Sequence, residues 1–237
     1  MNATPAGALG VLVVAKAPQP GRVKTRLTPV ATAAEAADIA AAALLDTLDA
    51  VHATGAAVLV ALAGDLDRCV RGKEIRSRLA RGVVLFQRGH SFGDRLANAH
   101  LDARRVHAYG PILQIGSDTP QVSPGLLLGA AEQLRDRGVD GVLGPAADGG
   151  WWALGLRDAK HADVLRTVPM SRADTGAQTL AALRTSGLRI GSLPELRDVD
   201  TVADAVTVAA EIPGSRFADA VSALRDRARH RGRTVAR

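Results

Sequence analysis

The sequence predicts an α/β protein in which a mostly parallel sheet lies between two layers of helices. Apolar runs of strand length alternate along the chain with longer stretches of helical periodicity, and this order predicts crossover connections between parallel strands. The runs are continuously apolar, as expected of strands that are buried on both faces. Hydrophobic residues make up 47% of the chain and aromatic residues only 3%, so the core must consist mainly of Ala, Val, Leu and Ile.

The first half of the chain opens on the clearest strand. Residues 8–15 are a continuous apolar run rich in valine, which is typical of a buried parallel strand. Residues 33–51 repeat Ala, Ile and Leu at helical spacing, and Gly55 follows the end of this predicted helix. The same patterns predict further strands at 56–63 and 82–87 and further helices at 65–80 and 94–107.

The second half repeats the alternation. It predicts helices at 123–137, 172–186 and 201–210, strands at 111–115, 139–143 and 188–193, and a short apolar segment at 151–156. No repeat and no Gly/Ser/Pro linker divides the chain, so residues 1–212 are predicted to be a single domain. Residues 213–237 are predicted to be a basic, partly flexible extension, because charge-rich termini seldom pack.

Composition excludes several classes of protein. Cys69 is the one cysteine, which excludes an internal disulfide and a cysteine-rich zinc site and favours a cytoplasmic location. The run at 8–15 is too short to span a bilayer, and no positively charged segment precedes it, so we expect no membrane association and no signal peptide. The net charge of +6 suits a nucleic-acid partner, but with one tyrosine and three phenylalanines no basic-aromatic surface is visible, and nucleic acid is not predicted.

Four loops follow predicted strands and are expected to converge, because ligands of open α/β sheets bind outside the carboxyl ends of the strands. The first, Ala15-Lys-Ala-Pro-Gln-Pro-Gly-Arg-Val-Lys-Thr-Arg-Leu27, is basic. Its crowded cations favour a bound anion, since charge-assisted hydrogen bonds to phosphate contribute about 1.5–3 kcal/mol each. Its spacing is neither that of a P-loop nor that of a dinucleotide fingerprint. The loop therefore indicates a different kind of site for a diphosphate or triphosphate.

Two acidic loops offer oxygen ligands for a metal. Asp118 follows the strand at 111–115, while Asp198 and Asp200 alternate, so that both side chains point to one side of an extended chain. Mg²⁺ and Mn²⁺ commonly bind one or two carboxylates together with substrate phosphates. Asp118 is equally compatible with a role in a turn or a helix cap, and Thr201 is expected to cap the helix that follows.

The fourth loop, Gly144-Pro-Ala-Ala-Asp-Gly-Gly150, allows a ligand to approach the backbone closely. Asp148 projects from this turn, although Asp-Gly-Gly is also an ordinary hairpin turn. The chain's two tryptophans, Trp151 and Trp152, come next. Either one of them stacks against a base or sugar, or both pack in the core.

Together these motifs resemble one bacterial family. The marks are the basic loop, Gly116-Ser-Asp-x-Pro120, Gly144-Pro-Ala-x-Asp-Gly-Gly150 and Asp198-Val-Asp-Thr201, in that order between about Val11 and Asp204. The family comprises the GT-A-like transferases known as arsenosugar-biosynthesis or radical-SAM/selenodomain-associated glycosyltransferases, which are relatives of molybdenum-cofactor and phospholactate nucleotidyltransferases. The resemblance implies a three-layer α/β/α architecture of the GT-A (nucleotide-diphospho-sugar transferase) fold.

The resemblance also implies roles for individual residues. Nucleotide and phosphate would be bound by Lys16, Gly21, Arg22, Lys24, Thr25, Arg26, Gln87, Gly93, Arg95, Gly116 and Ser117. Mg²⁺ or Mn²⁺ would be held by Asp118 and Asp200, with Asp198 as a further carboxylate. The sugar and a small-molecule acceptor would lie at Pro145, Asp148, Gly149, Gly150 and Trp151, and the catalytic residues would be Lys24, Asp118 and Asp148.

The sequence departs from the family pattern at three places. Asp94 replaces a glutamate, Trp151-Trp152 replaces a tyrosine, and Pro169-Met-Ser171 replaces Trp-Ser. Two reactions suit the remaining pattern. In the first, a glycosyltransferase passes a sugar from a nucleoside diphosphate to an acceptor hydroxyl. In the second, a guanylyl- or cytidylyltransferase-like nucleotidyltransferase joins a nucleoside monophosphate to a phosphorylated small molecule and releases pyrophosphate. The sequence leaves the nucleotide, the acceptor and the oligomeric state open.

Overall fold

The computed structural model describes residues 9–28 and 30–235, and its strands form one seven-stranded sheet. The strands are β1 (Gly10–Lys16), β2 (Ala57–Ala63), β3 (Val83–Phe86), β4 (Ile112–Gly116), β5 (Gly141–Pro145), β6 (Trp151–Leu156) and β7 (Ile190–Ser192). Their order is β3-β2-β1-β4-β6-β5-β7. β6 runs antiparallel to both of its neighbours, and every other pair is parallel. The predicted mostly parallel sheet is confirmed.

Helices cover both faces of the sheet. They are α1 (Ala33–Ala53), α2 (Gly72–Leu79), α3 (Phe92–Val106), α4 (Pro124–Arg135), α5 (Thr175–Thr185), α6 (Val202–Glu211) and α7 (Arg216–Val235), with 3-10 helices at Thr25–Leu27 and Ala159–Arg166. Capping boxes begin α1, α3 and α6, where a hydroxyl and a carboxylate satisfy the otherwise unpaired N–H groups of the first turn. Thr201 is one of these caps, as predicted.

Strand β1 shows why the sheet is buried on both sides. Val11 and Val13 pack with α1, α2 and α4 on one face, while Leu12 packs on the other face against residues of α3. Successive side chains of a strand point to opposite faces, so a continuous apolar run supplies two core layers at once. Residue 8, where this strand was predicted to begin, lies outside the described residues.

The C-terminal segment corrects the predicted domain boundary. The predicted extension begins at residue 213, but residues 216–235 form α7, and its first half packs on α1 and α6. Phe217, Val221 and Leu224 are buried there at the i, i+4, i+7 spacing of one helix face. The arginine-rich composition of the last residues obscured this short apolar stripe. Residues 236 and 237 lie outside the described part of the chain.

One further expectation about local structure is wrong, and one segment left without a secondary structure is now assigned. The helix predicted at 65–80 is limited to α2, which begins at residue 72 after Arg71 takes a left-handed conformation with φ 53°. The apolar segment at 151–156 is the antiparallel strand β6, which returns beside β5 after a tight turn. Among the described helices, none has both the length and the apolar content needed to cross a membrane.

Candidate functional site: a lysine among four carboxylates

The loops at the carboxyl ends of the strands are tied together by their backbones. Val199 N donates to Asp118 O at 3.0 Å, which joins the loop after β4 to the loop before α6. Leu196 N donates to Pro145 O at 3.2 Å and Ala147 N to Leu196 O at 2.9 Å, which joins the loop after β5 to the same segment. The predicted convergence of these loops is therefore confirmed, and the basic loop joins them through a side chain.

That side chain is Lys24. Its ammonium lies 3.3 Å from Asp118 Oδ2 and 3.5 Å from Asp200 Oδ1, and only 14% of the lysine side chain is exposed. The negative charges of Asp198 and Asp148 act on the same group of charges. We call these five residues, Lys24, Asp118, Asp148, Asp198 and Asp200, the Lys24 centre. It lies at the edge of the sheet where the sequence predicted a phosphate and metal site.

Burial and mutual repulsion shift the charges of the Lys24 centre. Burial raises the pKa of Asp198 to about 8, and repulsion from Asp118 and Asp148 contributes further. One oxygen of Asp198, Oδ1, is buried without a hydrogen-bond partner among the described residues. For Lys24, burial lowers the pKa, but the Asp118 and Asp200 carboxylates outweigh burial and raise it. The centre thus holds more negative charge than its lysine neutralises.

Local backbone geometry places these side chains. Lys24 has φ 47°, a left-handed conformation that costs a residue with a Cβ on the order of 1–3 kcal/mol. It directly precedes the 3-10 helix Thr25–Leu27, whose Leu27 is buried beside α1. Gly116 leaves room for the Asp118 carboxylate, because a Cβ at residue 116 would lie 2.6 Å from Asp118 Oδ1. Ser117 lies between them in the same turn.

The other cations of the basic loop face outward. Lys16 and Arg22 are exposed and form no ion pair with a described residue. Arg26, whose side chain is 76% exposed, lies 3.1 Å from Asp200 Oδ2. Gly21 has φ 75°, and nothing lies within 4 Å of the position that a Cβ would take there, while Thr25 is exposed. The loop therefore presents cations to solvent directly beside an acidic centre.

The turn after β5 is held against the start of α5. Asp148 Oδ1 accepts a hydrogen bond from Gly150 N at 2.8 Å, so the predicted hairpin turn is present and also orients the carboxylate. Gly149 has φ 86°, and a Cβ there would overlap Ala173 O. Its own carbonyl accepts a bond from Gly176 N at 2.8 Å. Sequence analysis missed this partner segment, 171–176, whose Ser171-Arg-Ala-Asp-Thr-Gly176 composition is the signal that could have revealed it.

The two tryptophans take different roles. Trp152 is 2% exposed and donates from Nε1 to Pro194 O at 2.9 Å, so it belongs to the core. Trp151 is half-buried against the apolar cluster that includes Leu96 and Ala97 of α3. Pro145 is half-buried at the end of β5. Of the two, Trp151 is therefore the tryptophan with surface to offer a ligand.

The predicted nucleotide residues after β3 have structural roles of their own. Gln87 Nε2 donates to Ala15 O at 3.0 Å and to Ala61 O at 2.9 Å, which ties together the ends of β1 and β2. A Cβ on Gly93 would overlap the Leu165 carbonyl, and the Arg95 guanidinium lies 5.4 Å from the centre of the Phe92 ring. No hydrogen bond or ion pair joins these residues to the Lys24 centre in the described part of the chain.

Asp94, the first departure from the family pattern, is explained locally. It completes the α3 capping box with Ser91 and lies 3.3 Å from Arg166 of the 3-10 helix Ala159–Arg166. Hydrogen bonds from Ser91 lower the pKa of Asp94, and Arg166 lowers it further. The shorter acidic side chain of Asp94 therefore caps α3 and joins this helix to the 3-10 helix through Arg166.

The donor set of the Lys24 centre fits a hard divalent cation. Its carboxylate oxygens are the ligands that Mg²⁺ and Mn²⁺ prefer, and the buried Asp198 Oδ1 has no hydrogen-bond partner among the described residues. Among the described residues, however, no three His, Cys, Asp or Glu side chains are gathered as a ready metal cage. The cation between Asp118 and Asp200 is Lys24.

The family model for uncharacterised proteins conserved in bacteria, DUF2064, matches residues 45–172, which is more than half of the chain. The chain belongs to the DUF2064 family. No curated protein matches it. In this DUF2064 protein, Asp118 and Asp148 lie inside the matched range, whereas Lys24, Asp198 and Asp200 lie outside it.

Solved structures share the fold. A candidate nucleotide-diphospho-sugar transferase of Desulfovibrio desulfuricans G20 is 28% identical, with a TM-score of 0.79 over 93% of this chain and 95% of that one. A cytidylyltransferase of Leptospira borgpetersenii is 12% identical, with a TM-score of 0.52 over 93% and 95% of the two chains. A 4-diphosphocytidyl-2C-methyl-D-erythritol synthase of Anaerococcus prevotii is 9% identical, with a TM-score of 0.55 over 87% and 98%. The predicted nucleotide-diphospho-sugar transferase fold is confirmed.

Proposed function

We propose that this protein is a transferase that uses a nucleotide-diphospho-sugar as donor and a small molecule as acceptor, with Mg²⁺ or Mn²⁺ as cofactor. The observation that carries the proposal is the Lys24 centre itself. A group of carboxylates that surrounds the largely buried Lys24 at the carboxyl ends of the strands lies directly beside a loop of exposed cations. That combination suits a diphosphate whose charge is shared between the protein's cations and a metal.

The basic loop would bind the phosphates. Lys16 and Arg22 are exposed and unpaired within the described residues, so they are available to donate charge-assisted hydrogen bonds. Gly21, with φ 75° and no close neighbour, allows the backbone between them to follow a ligand. As the bond to the sugar breaks, negative charge develops on the diphosphate, and fixed cations at this position stabilise it.

The acidic residues would divide the remaining work. Asp118 and Asp200 would hold the divalent cation, with Asp198 as a further carboxylate, and the cation would supply further stabilisation of the leaving phosphate when bound. Asp148 would contact the sugar or accept the proton of the acceptor hydroxyl. Its Oδ1 is engaged by Gly150 N, whereas its Oδ2 accepts no hydrogen bond from a described residue. Trp151 would supply an apolar surface to the sugar or the acceptor.

The base of the nucleotide would lie toward Gln87, Gly93 and Arg95, at the adjoining ends of β3 and α3. The Gln87 amide is fixed by the carbonyls of Ala15 and Ala61, which leaves its oxygen as a rigid acceptor. The likeness to the Desulfovibrio protein, which is named as a candidate nucleotide-diphospho-sugar transferase, supports a sugar donor.

Nucleotidyl transfer is the second candidate. The observation in its favour is the number of cations in one loop, since Lys16, Arg22, Lys24 and Arg26 together can neutralise a triphosphate as well as a diphosphate. In that reaction a phosphorylated acceptor attacks the α-phosphate of a nucleoside triphosphate, and the bond to the departing pyrophosphate breaks. The likeness to two enzymes of cytidylyl transfer shows the fold alone.

One experiment separates the two candidates. The purified protein with Mn²⁺ is incubated with a panel of nucleotide-sugars and acceptors, and separately with nucleoside triphosphates and phosphorylated acceptors. Release of a nucleoside diphosphate together with a glycosylated product supports the first candidate. Release of pyrophosphate without sugar transfer would overturn it in favour of the second. The Asp118→Asn variant should lose either activity, and Asp67→Asn, at a carboxylate that is 79% exposed, provides the matched control.

A further inference from the structure

Lys24 is the cation of the basic loop that turns inward. Lys16 and Arg22 are exposed and the Arg26 side chain is 76% exposed, whereas Lys24 is 14% exposed and lies within 3.5 Å of both Asp118 and Asp200. The ammonium lies against the oxygens that suit a divalent cation.

The carboxylate oxygens of Asp118 and Asp200 cannot bind the Lys24 ammonium and a divalent metal ion tightly at the same time. An ammonium and a divalent metal at neighbouring positions repel each other strongly in a partly buried site. A metal ion that approaches Asp118 and Asp200 must therefore either displace Lys24 or bind more weakly, because Lys24 already neutralises part of the negative charge of these carboxylates. The unpartnered Asp198 Oδ1 adds a ligand that the lysine does not use.

The local backbone allows Lys24 to move. Its φ of 47° is a conformation that a residue with a Cβ leaves readily once nothing holds it there. On one side Leu27 is buried and fixes the chain. On the other side Gly21 is open, with nothing within 4 Å of a Cβ position. Residues 21–24 are therefore the part of the loop whose conformation can change while Leu27 stays in place.

We propose that Lys24 is a resident counter-cation, which occupies the divalent-cation position in the free protein and leaves it when the polyphosphate of the nucleotide binds. Metal alone then binds weakly, and the polyphosphate and metal bind cooperatively, because each favours the conformation in which Lys24 has left Asp118 and Asp200. This inference rests on the proposed function and adds to it the order in which the ligands bind. The site becomes ready for a metal only when its substrate is present.

The test is a titration of Mn²⁺ alone, without nucleotide, followed by the loss of the electron paramagnetic resonance signal of free Mn²⁺. Wild type is compared with Lys24→Met and Lys24→Gln. Lys73→Met is the matched control, because it removes the same charge from an exposed position on α2. We expect both Lys24 variants to bind Mn²⁺ at least about tenfold more tightly than wild type, and Lys73→Met to bind like wild type.

Two results of the titration would overturn the inference. One is an affinity for Mn²⁺ in the Lys24 variants that equals or falls below that of wild type. The other is a gain that persists in Lys24→Met/Asp118→Asn, because the added binding would then lie elsewhere. If the Lys24 variants unfold in a chelator, Mn²⁺ should restore their circular dichroism spectrum, and failure to do so would count against the inference as well. Since this titration contains no nucleotide, it can fail while nucleotide-dependent metal binding by wild type still supports the proposed function, and the reverse also holds.

Discussion

Gly149 fixes the Asp148 turn against the start of α5, and its replacement by alanine measures how tightly that contact is built. Its φ is 86°, and a left-handed conformation costs a residue with a Cβ about 1–2 kcal/mol. The new Cβ would also overlap Ala173 O, and forced overpacking of this kind costs typically about 1–3 kcal/mol more. We therefore expect Gly149→Ala to lower the free energy of unfolding by about 2–5 kcal/mol.

The chain offers a control that separates strain from overlap. Gly187 has φ 82°, but nothing lies within 4 Å of its Cβ position, so Gly187→Ala should cost only the backbone term of about 1–2 kcal/mol. Thermal unfolding with urea titration as a check would show the difference, since 1 kcal/mol corresponds to roughly 2–4 °C in a protein of this size. Equal destabilisation by the two variants would refute the close contact between the turn and Ala173.

Three further predictions follow from single residues. His100 is fully buried, with both ring nitrogens unpartnered in the described structure, and burial lowers its pKa from 6.5 to about 3. As the pH falls, His100 therefore binds a proton in the unfolded chain before it does so in the folded protein. The free energy of unfolding should fall by about 2 kcal/mol more in wild type than in His100→Leu as the pH drops from about 7 to 5. Equal losses in the two proteins, measured by urea titration at both pH values, would contradict this. Phe217→Ala should cost about 3–5 kcal/mol in urea unfolding, because the ring is fully buried, and a loss below about 1 kcal/mol would show that α7 is dispensable. Arg22→Ala should weaken the binding of a nucleoside diphosphate, measured by calorimetry, by about tenfold through loss of a charge-assisted hydrogen bond, whereas unchanged affinity would remove Arg22 from the site.

The sheet was predictable because its evidence is local. A buried parallel strand such as β1 must be apolar at consecutive positions, and the loops that follow such strands meet at one edge whatever the details of packing. The start of α6 was predictable as well, because its N-cap Thr201 acts on its own neighbours. These signals need no knowledge of distant contacts.

Other features depend on distant contacts and were not predictable. α7 is held by Phe217 against α1, and Asp46 of α1 accepts hydrogen bonds from Phe217 N and from Arg216. No pattern near residue 217 reveals this acceptor, which is 171 positions away. The same applies to the inward turn of Lys24. The sequence predicted that Lys24 binds phosphate. Its position in the fold depends instead on carboxylates that lie 94 or more positions away along the chain.

The most direct test of the central claim is the binding of nucleoside diphosphates, with and without Mn²⁺, to wild type and to Asp118→Ala. A ligand that binds only the folded protein raises its apparent stability, by about 2.7 kcal/mol at a concentration of 100 Kd. We expect at least one diphosphate to raise the melting temperature of wild type in the presence of Mn²⁺ and to have no such effect on Asp118→Ala, which should remain folded because this carboxylate is 42% exposed. Equal stabilisation of the two proteins would contradict a metal-dependent nucleotide site at the Lys24 centre.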